Sequence, residues 1–248
     1  MIEALHIWKA FGDKPVLKDV SFRFEPGKTN LIIGQSGSGK TVLMKCLVGL
    51  HEVNQGKILF HDRDFSSMSF NERKEVRKEI GMLFQGGALF DSMTVEENVI
   101  FPLTMFTEQS KEEKKERAQF CLQRVNLPDT GHLFPSEISG GMKKRVAIAR
   151  AIALNPKYLF CDEPNSGLDP KTANVIDNLI HEITHEFNIT TVVNTHDMNS
   201  VLEIGDNIAF LFEGELKWTG NSGSILSTDS PEINDFVFSS ELTRRLKR

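Results

Sequence analysis

The sequence predicts an α/β fold in which a parallel sheet is accompanied by an antiparallel β subdomain and a helical insertion. Short apolar runs separated by helical patterns are typical of buried parallel strands, and they occur at residues 31–33, 80–84, 158–161 and 190–194. Residues 3–11 and 20–25 instead alternate apolar and polar side chains, as half-exposed antiparallel strands do. From residue 86 to residue 155 the pattern is helical, which indicates an insertion into the α/β core.

The bulk composition fits one large core, or a core with a subdomain, in a chain of 248 residues that is 40% hydrophobic. A net charge of −5 gives no reason to expect a nucleic-acid partner. Cys46, Cys121 and Cys161 lie in separate apolar patterns, and we interpret them as reduced core thiols. We identify neither a signal peptide nor a run of about 20 apolar residues, so we expect any membrane role to depend on a partner.

A glycine-rich turn between the first buried strand and a helix is the strongest motif. It consists of Gly34, Gln35, Ser36, Gly37, Ser38, Gly39, Lys40 and Thr41. This spacing matches the P-loop, whose glycines let consecutive backbone N–H groups point at phosphate oxygens. Lys40 is placed to reach the β- and γ-phosphates, and the Thr41 hydroxyl is placed to hold Mg²⁺. A flexible loop is the alternative, but the complete match in a strand–loop–helix context predicts nucleoside triphosphate binding.

Polar side chains at the ends of three other strands are candidates for the same site, because ligands of open α/β sheets bind outside the carboxyl ends of the strands. Asp162 suits Mg²⁺ coordination, and Glu163, on the opposite strand face, is suited to orient and deprotonate an attacking water. His196 follows the next strand and is predicted to contact the γ-phosphate, although a structural histidine is the alternative. Gln85 ends a strand that we expect beside the P-loop strand, where it would contact Mg²⁺ or the water.

Two further features have both a structural and a functional interpretation. Phe11 lies upstream of the P-loop, where it either stacks on a purine ring or packs as a strand-end core residue. Ser139, Gly140 and Gly141 begin a helix, and on these residues alone a simple helix cap is favoured over an anion site. Asp169, followed by proline, marks the start of another helix.

Residues 181–185 spell the zincin pattern H-E-x-x-H on that helix. Both histidines fall opposite its apolar stripe, toward solvent, and the sequence offers no evident third ligand. We therefore interpret His181, Glu182 and His185 as a polar helix face and not as a zinc site.

Taken in order, these motifs resemble those of the ATP-binding cassette (ABC) ATPases over nearly the whole chain. The matches are the Walker A loop at residues 34–41, the Q-loop Gln85, the signature at residues 139–141, the Walker B Asp162 with Glu163, the D-loop at residues 166–169 and the switch His196. The resemblance implies a RecA-like P-loop NTPase core with an antiparallel β subdomain and an α-helical ABC subdomain. We assign residues 1–87 and 156–220 to the ATP-binding core, 88–155 to the signature subdomain and 221–248 to a C-terminal tail.

The same resemblance implies ATP and Mg²⁺ as cofactors and a homodimer in which two cassettes pair head to tail. ATP on one Walker A loop would then be covered by Ser139, Gly140 and Gly141 of the other copy. Phe11 becomes the expected adenine-stacking residue, and Asp169 of the D-loop is expected among the nucleotide-binding residues. Two positions depart from the family pattern, namely Met142 and Gly167, where glutamine and alanine are usual.

Two segments, residues 82–90 and 136–142, resemble one group within this family. This group is the Mla/Mkl-type ATPases, which serve MCE-protein phospholipid transporters. This implies a peripheral subunit on the cytoplasmic face of a bacterial inner membrane, bound to an integral membrane permease and associated with an MCE-domain lipid-binding subunit. The insertion just after Gln85 is the expected docking surface. An ATPase for another solute, a cell-division-type structural switch and a non-transport cassette are the alternatives. The last of these usually carries two cassettes or a long coiled-coil insertion, which this chain lacks.

Overall fold

The computed structural model describes residues 1–238, and the basic terminus at residues 243–248 lies outside the described residues. The strands are β1 (Ile2–Phe11), β2 (Lys14–Phe24), β3 (Thr29–Ile33), β4 (Gln55–Phe60), β5 (Arg63–Asp64), β6 (Ile80–Leu83), β7 (Tyr158–Asp162), β8 (Thr190–Thr195), β9 (Asn207–Phe212) and β10 (Glu215–Gly220). The helices are α1 (Lys40–Leu47), α2 (Phe70–Lys78), α3 (Val95–Phe106), α4 (Lys111–Arg124), α5 (Gly140–Ile152), α6 (Pro170–Glu186), α7 (Met198–Ile204) and α8 (Pro231–Val237). Short 3₁₀ turns occur at Pro135–Glu137 and Ile225–Ser227.

Two sheets form the α/β core. The larger has the strand order β10-β9-β3-β8-β7-β6, and its five strands from β9 to β6 are parallel. The smaller sheet, β2-β1-β4-β5, is antiparallel, as the alternating N-terminal pattern predicted. All parallel strands end at the same edge, so the turns after β3, β6, β7 and β8 are gathered there.

Two hydrophobic cores lie on the two faces of the larger sheet. On β3, Leu31 and Ile33 enter one core together with the helices of the insertion, while Ile32 enters the other with α1 and the antiparallel sheet. Because β3 is buried on both faces, its sequence is a continuous apolar run. The phosphate loop therefore starts from a strand that is fixed from both sides.

Residues 88–155 contain helices and no strand, and their helices begin with capping residues that the sequence makes visible. Thr94 with Glu97 and Ser110 with Glu113 form reciprocal capping boxes at the starts of α3 and α4. Ser139 caps α5 by accepting a hydrogen bond from the Met142 amide. These caps set where the signature helix begins and which groups it presents at its first turn.

Part of the segment assigned to the C-terminal tail is packed. Residues 221–238 contain the turn Ile225–Ser227 and helix α8, and Ile225, Ile233 and Val237 are fully buried in the core that includes the insertion. None of the helices in residues 1–238 combines the length and the apolar character that crossing a bilayer would need.

Candidate active site

The glycine-rich loop between β3 and α1 has the backbone that its glycines predicted. Gly34, Gly37 and Gly39 have φ values of 146°, 85° and 105°, which side chains disfavour. A Cβ on Gly34 would lie 2.2 Å from the Leu211 carbonyl oxygen, so the loop is also closely packed. Gly39 is the N-cap of α1 and supplies no side-chain cap, which leaves the first N–H groups of this helix without a side-chain acceptor.

Lys40 occupies the centre of this loop. Its ammonium is buried and donates to the carbonyl oxygens of Gly34 at 2.8 Å and Gln35 at 3.0 Å. Burial lowers the pKa of Lys40, while the carboxylates of Glu163 and Asp162 act in the opposite direction. The buried Ser38 hydroxyl has no hydrogen-bond partner among the described residues. A buried cation, an unpartnered hydroxyl and an open helix N-terminus together fit a bound phosphate chain.

Thr41, Asn194 and Asp162 meet beside the loop. The Asn194 side chain donates from Nδ2 to Asp162 Oδ1 at 2.6 Å and to Thr41 Oγ1 at 3.2 Å, and thereby links β8, β7 and α1. A hydroxyl and a carboxylate within reach of a phosphate are the oxygen ligands that Mg²⁺ prefers. The two predicted metal ligands Thr41 and Asp162 are therefore brought together, whereas Gln85 forms no hydrogen bond with either of them.

Glu163 and His196 are the second pair at this edge. His196 Nδ1 lies 2.9 Å from Glu163 Oε1, and the Glu163 amide donates to the Asn194 carbonyl at 2.9 Å. Strand alternation does not separate Asp162 from Glu163, because β7 ends at Asp162 and Glu163 has a left-handed φ of 48°. The two carboxylates have different partners, Asn194 for Asp162 and His196 for Glu163.

The position of Gln85 differs from the prediction. Its strand β6 is the edge strand of the sheet and is separated from β3 by β7 and β8, so it does not lie beside the phosphate loop strand. Gln85 is exposed in the turn after β6. The sequence could not give this result, because the order of parallel strands depends on how the helical connections cross the sheet.

The other predicted residues make their described contacts with groups outside the loop. Phe11 is 47% exposed at the end of β1, with the His51 ring 5.2 Å away and the Lys9 ammonium 5.0 Å above its face. Ser139 caps α5 and is exposed. A Cβ on Gly141 would lie 2.6 Å from Thr172 Cγ2 on α6, so the signature packs on its own neighbour helix.

Gly140 and Asp169 complete this group. A Cβ on Gly140 would meet only the Leu168 side chain, at 3.8 Å. Asp169 caps α6 by accepting from the backbone amide and the hydroxyl of Thr172, at 3.1 and 2.5 Å. These bonds lower the pKa of Asp169, the hydroxyl bond acting most strongly. Within one chain the signature residues make no hydrogen bond to the phosphate loop, so a single copy does not assemble all predicted nucleotide ligands.

Two site residues were missed from the sequence. Asn194 could have been noticed in the sequence, because it is a polar side chain inside a buried strand. Lys144 could not, because it lies in a run of basic residues that is typical of a polar helix face. It is nevertheless buried, its Nζ has no hydrogen-bond partner, and burial lowers its pKa while Cys161, Asp162 and Glu163 act in the opposite direction.

The fold and the loop define a P-loop nucleoside triphosphatase, and comparison with known proteins specifies the family. Residues 17–166 match the model of the ABC transporter family, and the chain belongs to this family. It is an ABC-type ATP hydrolase whose cofactors are ATP and Mg²⁺, which confirms the predicted class and cofactors.

Two curated relatives of this chain are named for different transport roles. The chain is 37% identical over 236 residues to the probable ribonucleotide transport ATP-binding protein mkl of Mycobacterium leprae, covering 95% of this chain and 68% of that protein. It is 40% identical over 237 residues to the methionine import ATP-binding protein MetN of Clostridioides difficile, covering 96% and 74%. The likeness to mkl agrees with the predicted Mkl-type resemblance.

Two solved structures share the fold. The dimeric, post-hydrolysis state of the ATP-binding cassette MJ0796, bound to ADP and Pi, superposes with a TM-score of 0.80 at 31% identity and covers 90% of this chain and 99% of that one. CbiO1 from Clostridium perfringens, part of the transporter complex cbiONQ, superposes with a TM-score of 0.86 at 26% identity, covering 100% and 98%. The predicted P-loop NTPase fold with an ABC insertion is thereby confirmed.

Proposed function

We propose that this chain is the ATP-binding subunit of a transporter, in which ATP binding joins two copies and hydrolysis separates them. The proposal rests on three features that meet at one edge of the sheet. Lys40 donates to carbonyl oxygens inside the phosphate loop, Asn194 links Asp162 to Thr41, and His196 contacts Glu163. These are a phosphate-binding cation, two oxygen ligands and a carboxylate held by an imidazole, which are the parts that phosphoryl transfer to water requires.

Each of these groups has a defined role in the proposed reaction. Lys40 binds the β- and γ-phosphates from inside the loop, and Thr41 and Asp162 hold Mg²⁺, which when bound offsets negative charge on the phosphate oxygens. Glu163 orients the attacking water and accepts its proton. His196 fixes the Glu163 carboxylate and contacts the γ-phosphate. Gln85, in the turn after β6, reaches Mg²⁺ or the water only if that turn moves toward the loop.

Replacement of Glu163 by glutamine tests this assignment. The amide keeps the size of the side chain and an oxygen that accepts from His196, but it cannot accept the proton of the water. We expect ATP binding to persist and turnover to fall by roughly 10²-fold or more. Glu137→Gln, on the 3₁₀ turn before the signature helix, is a control that leaves turnover unchanged. Undiminished turnover in Glu163→Gln would remove this residue from the proposed role.

The proposed dimer is head to tail, with Ser139, Gly140 and Gly141 of one copy covering ATP on the loop of the other. Three observations support it. The exposed Ser139 and the start of α5 lie outside the hydrogen-bond network of the loop in the same chain. The first turn of α5 contains no acidic residue, so no negative side chain would repel an anion at the positive end of this helix. MJ0796, similar in fold, has been solved as a dimer bound to ADP and Pi.

We further propose that Phe11 stacks on adenine and that Asp169 lies at the dimer interface. Phe11 is exposed, and the Lys9 ammonium over one face leaves the ring able to stack on the other. Asp169 is exposed at the start of α6, next to the signature residues of its own chain. Its carboxylate is already a helix cap, so its contribution in the dimer is to position the D-loop.

A groove beside Gln85 supports docking of a membrane permease. It has a volume of about 280 Å³ between the edge strand β6 and helix α3, and its walls include the exposed rings of Phe84, Phe90 and Phe106. Exposed aromatic side chains in a groove favour the burial of an apolar partner segment. The permease would thus bind next to the turn that carries Gln85, on the cytoplasmic face of a bacterial inner membrane.

For the transported substrate we propose phospholipid, moved between bacterial membranes with an MCE-domain subunit as a further partner. Residues 82–90 and 136–142, including Met142 in the signature, support this choice, as does the similarity to mkl. Solute import is the second candidate, because MetN, named for methionine import, is 40% identical to this chain. A cell-division-type structural switch would use the same catalytic residues.

Purification of the intact complex from its native membrane distinguishes these candidates. The tagged chain is isolated in mild detergent, and the proteins and lipids that accompany it are identified by mass spectrometry. A permease together with an MCE-domain protein and bound phospholipid is the result expected for lipid transport. A permease with an extracytoplasmic solute-binding protein would overturn the lipid proposal and leave the ATPase assignment intact.

A further inference from the structure

Three potential metal ligands meet at the edge of the sheet that is opposite the phosphate loop. His181 and His185 lie one turn apart on α6, and Asp206 directly precedes β9. One ligand atom from each of the three residues lies within 4.8 Å of those of the other two. No third ligand for the two histidines was evident from the sequence, because Asp206 is brought to them only by the crossover through β8 and α7.

The geometry of this cluster is close to that of a metal site. Asp206 Oδ2 lies 3.3 Å from His185 Nε2 and 3.9 Å from His181 Nδ1, and the two imidazole centres are 4.2 Å apart. Ligands about 2.0–2.2 Å from a tetrahedral ion are separated by roughly 3.4 Å. Small side-chain adjustments would therefore bring the three ligand atoms into coordination distance of one ion.

The surroundings of the cluster hold these ligands in place and leave them accessible. The buried Thr29 at the start of β3 donates its amide to Asp206 Oδ2 at 2.8 Å, and its hydroxyl lies 3.3 Å from His181 Nδ1. The amide contact orients Asp206 as an outer contact does, whereas the hydroxyl lies on the ring nitrogen that would bind the ion and would turn away from it on binding. The side chains of His181, His185 and Asp206 are 34%, 46% and 28% exposed, so an ion has a path from solvent.

We propose that His181, His185 and Asp206 bind one divalent transition-metal ion, with Zn²⁺ as the preferred ion. Two imidazoles and one carboxylate are a ligand set that suits Zn²⁺ and neighbouring metals and does not suit Mg²⁺. The ion would fasten α6 to the start of β9 and, through Thr29, to the start of β3. This interpretation replaces the sequence-based one, in which the two histidines belonged to a polar helix face.

The bound ion would be structural and not hydrolytic. In the H-E-x-x-H pattern of metalloproteases the glutamate next to the first histidine acts as a general base. Here Glu182 Oε2 lies 3.9 Å from Arg124 Nη2 on α4, so its carboxylate is directed to another helix. The cluster also lies at the amino end of β3, whereas the phosphate loop follows the carboxyl end of the same strand.

Titration with Co²⁺ tests the site directly. The full chain, freed of metal with a chelator and kept without nucleotide, is titrated with CoCl₂ and followed by visible absorption. We expect the chain to bind one Co²⁺ ion and to show the intense visible absorption bands of tetrahedral Co²⁺. These bands should disappear when Zn²⁺ is added and displaces Co²⁺. The double variant His181→Ala/His185→Ala should bind at least about 10- to 100-fold more weakly. Asp206→Asn, which keeps an acceptor for the Thr29 amide, should also bind more weakly.

A matched control separates this site from a simple histidine–carboxylate pair. His6 Nδ1 lies 2.7 Å from Asp19 Oδ1 on the surface, and within residues 1–238 this pair is not part of a group of three potential metal ligands, so His6→Ala should leave Co²⁺ binding unchanged. Zn²⁺ should raise the thermal unfolding midpoint of the unsubstituted chain and of His6→Ala but not of the double variant. Absence of tetrahedral Co²⁺ bands in the unsubstituted chain, or equal binding by a folded double variant, would overturn the proposal.

Discussion

His196 Nδ1 lies 2.9 Å from Glu163 Oε1, although the two residues are 33 positions apart in the chain. The pairing follows from the parallel register of β7 and β8, in which Asp162 is opposite Asn194. The residues that leave these two strands therefore emerge side by side. One hydrogen bond thus joins the proposed base to the imidazole that holds it.

The first prediction concerns this hydrogen bond. In His196→Ala the Glu163 carboxylate loses its partner, while Lys40 and the phosphate loop are untouched. We expect kcat for ATP hydrolysis to fall by about 10²-fold or more, because the Glu163 carboxylate is then no longer held in place for the chemical step. Steady-state kinetics measure this. A variant with unchanged kcat would show that the contact with Glu163 has no part in catalysis.

The second prediction concerns the buried ammonium of Lys144. Methionine has a similar shape and no charge, so Lys144→Met removes an unpaired cation from the core. We expect the free energy of unfolding to stay equal or to rise, by up to roughly 4 kcal/mol. Turnover should fall on the order of tenfold, or about 1.4 kcal/mol, because a positive charge near Asp162 and Glu163 is lost.

Denaturant unfolding and ATPase assays measure the two effects of Lys144→Met. Lys143→Met, at the half-exposed neighbouring position, is the control and should change neither quantity appreciably. Destabilisation of Lys144→Met together with normal turnover would contradict the electrostatic interpretation of this residue.

The third prediction concerns Arg150, which holds the turn after Gln85. Its guanidinium donates from Nη1 to the Ala88 carbonyl and from Nη2 to the Gly87 carbonyl, both at 2.8 Å. Lysine has no planar fork that reaches both carbonyls, so Arg150→Lys should loosen this segment. We expect amide hydrogen exchange at Gly87 and Phe90 to accelerate by about tenfold or more, since a charge-assisted hydrogen bond contributes about 1.5–3 kcal/mol.

Arg145→Lys is the matched control for Arg150→Lys. Arg145 lies on the same helix, and its Nη1 donates to the carbonyl oxygens of Val125 and Asn126. Exchange at Gly87 should therefore be unaffected in this variant. If Arg150→Lys and Arg145→Lys gave the same exchange at Gly87, the guanidinium fork would not be what orders the turn.

The fourth prediction concerns the pH dependence of stability. Asp177 on α6 is buried, and burial raises its pKa to about 6 even though Ser200 and Asn165 each donate a hydrogen bond to it at 2.7 Å. Its pKa in the unfolded chain is near 3.8, so the folded state binds the proton more tightly. The carboxyl therefore destabilises the fold progressively as the pH rises from about 4 to about 6, and fully above that range.

Asp177→Asn removes this titration and keeps an oxygen that accepts both hydrogen bonds. The free energy of unfolding of the variant, minus that of the unsubstituted chain, should rise between pH 4 and 6 by up to about 3 kcal/mol and then level off. Urea unfolding at several pH values measures this difference. A difference that is constant across the range, or one that falls with pH, would show that Asp177 does not titrate as inferred.

Several parts of the fold and site were predictable because they depend on local chemistry. The glycines of the phosphate loop, the capping residues Ser110 and Asp169 and the apolar strands follow from backbone sterics and local periodicity. The α/β class and the candidate site at the carboxyl ends of the strands followed from the same signals.

The remaining parts depend on how distant segments meet. The edge position of β6, and with it the exposure of Gln85, is set by the order of strands and not by any residue in β6. Asp206 joins His181 and His185 through a crossover connection. Lys144 belongs to a run of basic residues that is typical of an exposed helix face, and only the packing of α5 within the fold buries it. Sequence periodicity carries no information on these long-range placements.

The proposed ATP-dependent pairing of two copies is tested most directly by the mass of Glu163→Gln in solution, measured by light scattering with and without Mg-ATP. Our account predicts the mass of one chain without nucleotide and of two chains with Mg-ATP, because ATP is held between the loop of one copy and the signature of the other. In Glu163→Gln/Lys40→Ala the mass should stay at one chain. A mass that does not change with Mg-ATP, or that doubles equally when Lys40 is replaced, would contradict the proposal.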